Sequence, residues 1–214
     1  MAKKQLSGTC TICQAKIGKT AAKKHLQICA KKREMDKKPH VKEASSKAYH
    51  VLAEGYGISG DGYWMHLKIP GNATFKNLDA FLRKTWLECC GHMSTFQMGK
   101  RDVSMGWKIG DIFQPGLKLS HIYDFGDTTQ LNIAFVDEFE WIHGKGKIEI
   151  MARNDDPQLK CISCGKPPIY VCPSCAYDME AWFCESCSEE HDCGLEMLLP
   201  VVNSPRMGFC GYIG

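Results

Sequence analysis

The clearest alternation of apolar and polar positions lies in "GYWMHLKIP" at residues 62–70. It predicts a strand with Trp64, His66 and Lys68 on one face and Tyr63, Met65, Leu67 and Ile69 on the other. Pro70 and Gly71 end it. The pattern then changes period. "NATFKNLDAFLRKTWLECC" carries Leu78, Phe81, Leu82 and Trp86 at helical spacing behind Thr74 or Asn77 as N-cap, so a helix with one core-facing stripe follows. "STFQMG", "LKLSHIYDFG" and "TQLNIAFVDEFEW" read as further strands, the last two joined by a short turn at Gly126 and Asp127. The order β-α-β-β-β over residues 49–155 predicts an α+β domain, a helix packed on a mostly antiparallel sheet. Residues 1–35 and 156–214 fall outside this pattern and read as two small terminal modules, the first joined to the core by a polar linker at 36–48.

The terminal modules are marked by cysteine. The chain has thirteen cysteines in 214 residues, with no apolar run long enough to span a membrane and no apolar leader behind its lysine-rich start. These features predict the cytoplasm, where thiols stay reduced and paired CxxC units bind metal rather than form disulfides. "CTICQAKIGKTAAKKHLQIC" offers Cys10, Cys13, His25 and Cys29 in the spacing C-x2-C-x11-H-x3-C, four N/S donors for one tetrahedral zinc. His25 and Cys29 are i,i+4 neighbours on a helix built from good helix formers, so both reach one ion. The segment resembles a Cys-Cys-His-Cys variant of the zinc finger.

"CISCGKPPIYVCPSCAYDMEAWFCESCSEEHDC" supplies Cys161, Cys164, Cys172, Cys175, Cys184, Cys187, His191 and Cys193. Eight donors fill two tetrahedral zinc sites, and sites without an open position are structural. The spacing resembles cross-brace modules of the B-box, ZZ or MYND kind. That resemblance implies one ion shared by Cys161, Cys164, Cys184 and Cys187 and a second by Cys172, Cys175, His191 and Cys193. A sequential pairing is the alternative, as is Cys210 in place of Cys193. Three zinc ions are therefore expected. A redox CxxC would sit in a βαβ context, and a zinc deaminase needs H-x-E before P-C-x-x-C; neither pattern is present. Cys89 and Cys90 follow an apolar helix and read most simply as buried thiols.

Between the modules, "YWMHLKIP", "TFKNLDAFLRKTWLECCGHMSTFQM" and above all "YDFGD" at Tyr123–Asp127 resemble the plasmid pRiA4b ORF-three family over roughly residues 50–150. The resemblance implies the same α+β fold for prokaryotic relatives. This chain has Thr128 and Thr129 where that family usually has Trp, and its return strand keeps only His92. A resolvase-like label carried by some relatives needs clustered arginines, whereas the five here are scattered along the chain. A kinase reading of "DFGD" fails for want of a Gly-rich phosphate loop, a VAIK-like lysine and an HRD loop.

Charge adds a direction. Residues 1–50 hold thirteen Lys/Arg against three Asp/Glu, while the remainder is net acidic. Lys16, Lys19, Lys23, Lys24, Lys31, Lys32 and Arg33 surround the finger, and Lys37 and Lys38 extend the run. Such an arm gains affinity for a nucleic-acid backbone by releasing counterions, and with Gln14 and Gln27 the only nearby candidates for base contacts, shape- or backbone-directed binding is expected rather than sequence reading. The C-terminal module is acidic and better suited to a protein partner. The sequence thus predicts a non-catalytic, zinc-binding protein that engages DNA or structured RNA through its finger and protein through its cross-brace, with no membrane partner. A protein-only adaptor is the second reading, and a hydrolase or recombination-associated enzyme centred on "YDFGD" and His121 is the third.

Overall fold

The computed structural model describes residues 6–36, 46–141, 147–177 and 181–214. It is an α+β fold built on one antiparallel sheet. The strands are β1 (Ser7–Cys10), β2 (Lys16–Gly18), β3 (Ser46–Tyr56), β4 (Gly62–Pro70), β5 (Ser94–Met98), β6 (Arg101–Val103), β7 (Lys118–Tyr123), β8 (Thr129–Trp141) and β9 (Glu149–Asn154). Their spatial order is β2-β1-β9-β4-β3-β8-β7-β5-β6. Helices α1 (Lys19–Asp36), α2 (Phe75–Leu82) and α3 (Ile109–Ile112) complete this part.

Helix α2 starts at Thr74, whose hydroxyl accepts from the Asn77 amide while the Asn77 side chain accepts from the Thr74 amide, a reciprocal cap that satisfies two orphan donors. Its Phe75, Leu78 and Leu82 are buried together with Tyr63, Met65, Leu67 and Ile69 of β4 and Val51 and Ala53 of β3. A π-helical turn, Arg83–Leu87, follows directly and buries Trp86 and Leu87. Phe81, expected in the core stripe, is only partly buried.

The opposite face of the sheet is covered by α1. Ala22, Leu26 and Ala30 recur at i, i+4 and i+8 and pack with Cys10, Trp64, Met151 and Ala152. This explains why every residue of β4 is buried although its sequence alternates: Tyr63, Met65, Leu67 and Ile69 pack with α2, while Trp64 packs beneath the finger helix on the other face. The buried polar groups of the Trp64 face, His66 and Lys68, find local partners. His66 Nδ1 is 2.7 Å from His50 Nε2, and Lys68 pairs with Glu149 at 2.9 Å. Burial holds both imidazoles neutral, His50 down to about 4 with Lys23 adding repulsion, and His66 down to about 3 with His50 adding to it.

The finger is part of this sheet rather than a separate body. β1 pairs with β2 on one side and with β9 on the other, placing Gly8 opposite Asn154 and Thr9 opposite Arg153. Gly8 is required at the crossing, because a Cβ there would lie 2.6 Å from the Trp64 ring, which is itself held by a 2.9 Å bond from Nε1 to the Leu6 carbonyl. β3 and β9 were not anticipated as strands. Within the expected linker at 36–48, β3 begins at Ser46, and residues 37–45, including Lys37 and Lys38, lie outside the described residues.

After β9 the chain forms a small three-stranded sheet of β10 (Tyr170–Val171), β11 (Trp182–Phe183) and β12 (Leu199–Pro200), in the order β11-β10-β12, with one-turn helices α4 (Pro173–Ala176) and α5 (Glu185–Ser188). The last residues fold back onto the main domain. Asn203 exchanges side-chain bonds with Asn154 and Asp156, Ser204 Oγ donates to the Trp86 carbonyl at 2.6 Å, and Arg206, Met207 and Tyr212 are buried.

Candidate metal centres

Among the described residues, four groups of Cys and His could each hold a metal ion, their ligand atoms lying within 4.8 Å of one another: Cys10, Cys13, His25 and Cys29; Cys161, Cys164, Cys184 and Cys187; Cys172, Cys175, His191 and Cys193; and Cys89, Cys90, His92 and Cys210. The sequence led us to expect three. Cys193, not Cys210, sits with Cys172, Cys175 and His191.

Each group is assembled by short turns. In the finger, the Gln14 amide donates to the Cys10 carbonyl at 2.9 Å, which curls the CxxC back on itself, and α1 brings His25 and Cys29 across the gap. Gln14 takes the left-handed conformation, φ 63°, that Gly165 takes after Cys161 and Cys164 at φ 74°. In the C-terminal module, the Gly165 amide donates to Cys161, Ala176 to Cys172 and Ser188 to Cys184, so one turn is used three times. The interleaving of the two groups places β10 and α4 between the halves of the first.

Donor separations match one ion per group. A tetrahedral ion with bonds of about 2.3 Å to sulfur sets its ligands about 3.8 Å apart. The observed distances are 4.0 Å for Cys10 to Cys29, 3.3 Å for Cys13 to His25, 3.5 Å for Cys164 to Cys184, 3.6 Å for Cys175 to Cys193 and 3.7 Å for Cys175 to His191. Thiol acidities diverge inside each group. The Ser186 hydroxyl, with neighbouring donors, brings Cys184 down to about 6, while sharing a proton with Cys184 pushes Cys187 up to about 12. The contact with Cys193 likewise pushes Cys175 up to about 12, and burial does the same to Cys29. Several thiolates at this spacing need a counter-charge to ionise together, which a dication would supply.

The lysines of the finger have divided roles. Lys16 pairs with Asp155 at 2.9 Å and Lys19 with Glu54 at 2.5 Å, so both are tied to the body of the protein. Lys23, Lys24 and Lys32 are exposed on α1. The side chains of Lys31 and Arg33 lie outside the described residues. Gln14 bonds the Thr11 carbonyl and Gln27 reaches Asp137, so both are already engaged.

The "YDFGD" segment forms the β7–β8 turn. Asp124, at φ 63°, accepts from the Gly126 amide at 2.9 Å, as expected of an aspartate shaping a tight turn. Its other oxygen meets a buried partner that sequence reasoning missed: Arg206 Nη2 at 2.6 Å, with His92 Nε2 at 3.4 Å. Arg206 also donates to Thr129 Oγ1 at 3.1 Å and to the Asp127 carbonyl, and its guanidinium lies over the Tyr123 ring. Desolvation would raise the Asp124 carboxyl, but the Arg206 bond outweighs it and holds the acid below its usual range. His121 is buried and bonds Asp79 at 2.8 Å, sharing that oxygen with Ser94. A groove of about 670 Å³ bordered by Pro70, Asn77, Phe81, Lys84 and Ile148 has no Asp, Glu, His or Cys among its described lining residues.

No helix among the described residues is long and apolar enough to cross a membrane. The chain matches no family model and no curated protein. Among solved structures it is similar to a protein of unknown function, MM3350 from Methanosarcina mazei Go1, at 22% identity over 50% of this chain and 67% of that one, with a TM-score of 0.41.

Proposed function

We propose that the protein is a non-catalytic, zinc-stabilised scaffold of the prokaryotic cytoplasm, related to the pRiA4b ORF-three family. It binds nucleic acid through the exposed face of α1 and protein through its acidic C-terminal module. The observation that carries this reading is that the three Cys/His groups expected from sequence each converge four donors from separated segments. A metal in such a group ties chain to chain and has no vacant position for a substrate. Mixed thiolate and imidazole donors suit zinc above harder cations. Zinc would be held by Cys10, Cys13, His25 and Cys29, and by the two interleaved groups between Cys161 and Cys193.

The binding face follows from what α1 leaves outward. Ala22, Leu26 and Ala30 are spent on the sheet, whereas Lys23, Lys24 and Lys32 project to solvent at the start of the lysine-rich run. Glu185, Glu189, Glu190, Asp192 and Glu196 are exposed on the other module, which would repel phosphate and favour a basic protein surface. Because β1 belongs to the main sheet, deleting the finger would uncover β9 and Trp64, so charge reversal is the cleaner test. The intact chain and a Lys23→Glu/Lys24→Glu/Lys32→Glu variant should be titrated with duplex DNA, structured RNA and single strands across a salt series. The intact chain should bind with a steep salt slope, and each lost phosphate contact should flatten that slope by about 0.7 to 0.9. No salt-dependent binding by the intact chain would overturn the nucleic-acid reading.

A further inference from the structure

We infer that Cys89, Cys90, His92 and Cys210 hold a fourth zinc-class divalent ion, which fastens the C-terminal segment to the turn at Tyr123–Asp127. The inference shares its donor chemistry with the three other groups, but stands on separate residues. Cys90 Sγ lies 3.7 Å from Cys210 Sγ, 3.8 Å from Cys89 Sγ and 2.9 Å from His92 Nε2, and His92 Nε2 is 3.2 Å from Cys210 Sγ. The two sulfur–sulfur separations fall in the range of the other groups and the two sulfur–nitrogen separations are shorter, all four donors still lying within 4.8 Å of one another, and the donor set is the same three thiols and one imidazole found in the finger and in the second cross-brace group. The four groups together account for all thirteen cysteines.

The chain makes particular local arrangements to bring these donors together. A π-helical turn, Arg83–Leu87, ends the α2 segment just before Cys89 and Cys90, and such turns re-aim the residues that follow. Cys210 adopts φ 44°, uncommon for a residue with a side chain, between Gly208 and Gly211, which are also left-handed. The surroundings answer the charge an ion would bring. Three thiolates and a dication leave one negative charge, and the buried Arg206 guanidinium points Nη2 at Cys89 Sγ, 3.6 Å away, while bonding Asp124. The Tyr123 hydroxyl, which donates to Glu88 Oε1 at 3.2 Å, lies 3.8 Å from the same sulfur. Donors to a ligating sulfur stabilise its thiolate and fix its direction. The "YDFGD" turn thereby acquires a role as the outer support of a metal latch.

The test uses the full chain purified with zinc alone and without chelator, by elemental analysis per chain. The wild type should hold four zinc ions, Cys90→Ser/Cys210→Ser three, and a control, Cys13→Ser/Cys29→Ser, also three. If the wild type and the Cys90/Cys210 variant both hold three while the control holds two, the fourth site is overturned and the other three stand. Should the variant fail to fold, alkylation of the wild type decides. Cys90 is exposed, so an unligated thiol would react with iodoacetamide at a rate that a chelator does not change. The latch predicts protection until a chelator is added, and immediate labelling, or a Cys89–Cys90 disulfide found by mass spectrometry, would overturn it.

Discussion

Replacing Arg206 by methionine tests the link between the C-terminal segment and the Tyr123–Asp127 turn. The guanidinium is fully buried and supplies the Asp124 ion pair, a bond to Thr129 Oγ1 and a bond to the Asp127 carbonyl. Methionine restores most of the packing volume but leaves the buried Asp124 with only the Gly126 amide and the edge of His92. Breaking a buried pair from one side costs about 3 to 5 kcal/mol. For a chain of this size that is a fall in Tm of about 6 to 20 °C. Asp124→Asn/Arg206→Met removes the stranded charge and should recover part of the loss, with a coupling energy of about 1.5 to 3 kcal/mol in the double-mutant cycle. Denaturant unfolding should be followed at one buffered free-zinc concentration, with metal content checked for every variant, because bound metal makes apparent stability depend on free metal. A loss below about 1 kcal/mol, with coupling near zero, would refute the reasoning. It would return Asp124 to the status of a carboxylate available for chemistry.

Two further outcomes follow from the layer between α1 and the sheet. His50 and His66 are held neutral at about 4 and about 3, below their unfolded value of 6.5, so the unfolded chain takes up protons that the folded one refuses. Stability from this source is complete above pH 6.5 and is lost as pH falls, by up to about 3 kcal/mol per histidine near pH 4. His50→Leu/His66→Leu should flatten the stability profile in that window at equal metal load, and an unchanged slope would contradict the assignment. Gly8→Ala would drive a methyl into the Arg153 carbonyl and the Trp64 ring, costing about 1 to 3 kcal/mol and speeding amide exchange in β1 and β9. Unaltered exchange there would mean the finger does not depend on this strand pairing.

Period and spacing made much of the molecule readable. The alternation at Gly62–Pro70 and the stripe through Leu78 and Trp86 marked a strand and a helix, and of the two cap candidates, Thr74 and Asn77, the first is the N-cap of α2. What escaped depended on contacts distant in sequence. β3 had no marked period: its first three residues fell in the expected linker and the rest in the core domain without an assigned element, because Ala48, His50 and Val51 are all buried and the pattern reflects two covered faces rather than one. The finger looked autonomous because its four donors are local, yet its first strand, β1, pairs with β9 about 145 residues away. The fourth cysteine group was hidden in the same manner, since Cys90 and Cys210 are 120 residues apart. A signal existed nonetheless: "CCGH" places three donors in four residues, and with Cys193 in the cross-brace, Cys210 is the cysteine left over. Arg206 seemed one of five scattered arginines because its partner, Asp124, is reached only when the C-terminal segment folds back.

The central claim is that metal ions hold this chain together at its cysteine groups, and native mass spectrometry of the full chain, purified under reducing conditions without chelator, measures that most directly. The account predicts one dominant species carrying four zinc ions, with all thirteen cysteines reduced once the metal is stripped. A folded chain carrying no metal, or one whose mass shows cysteines joined as disulfides, would contradict it.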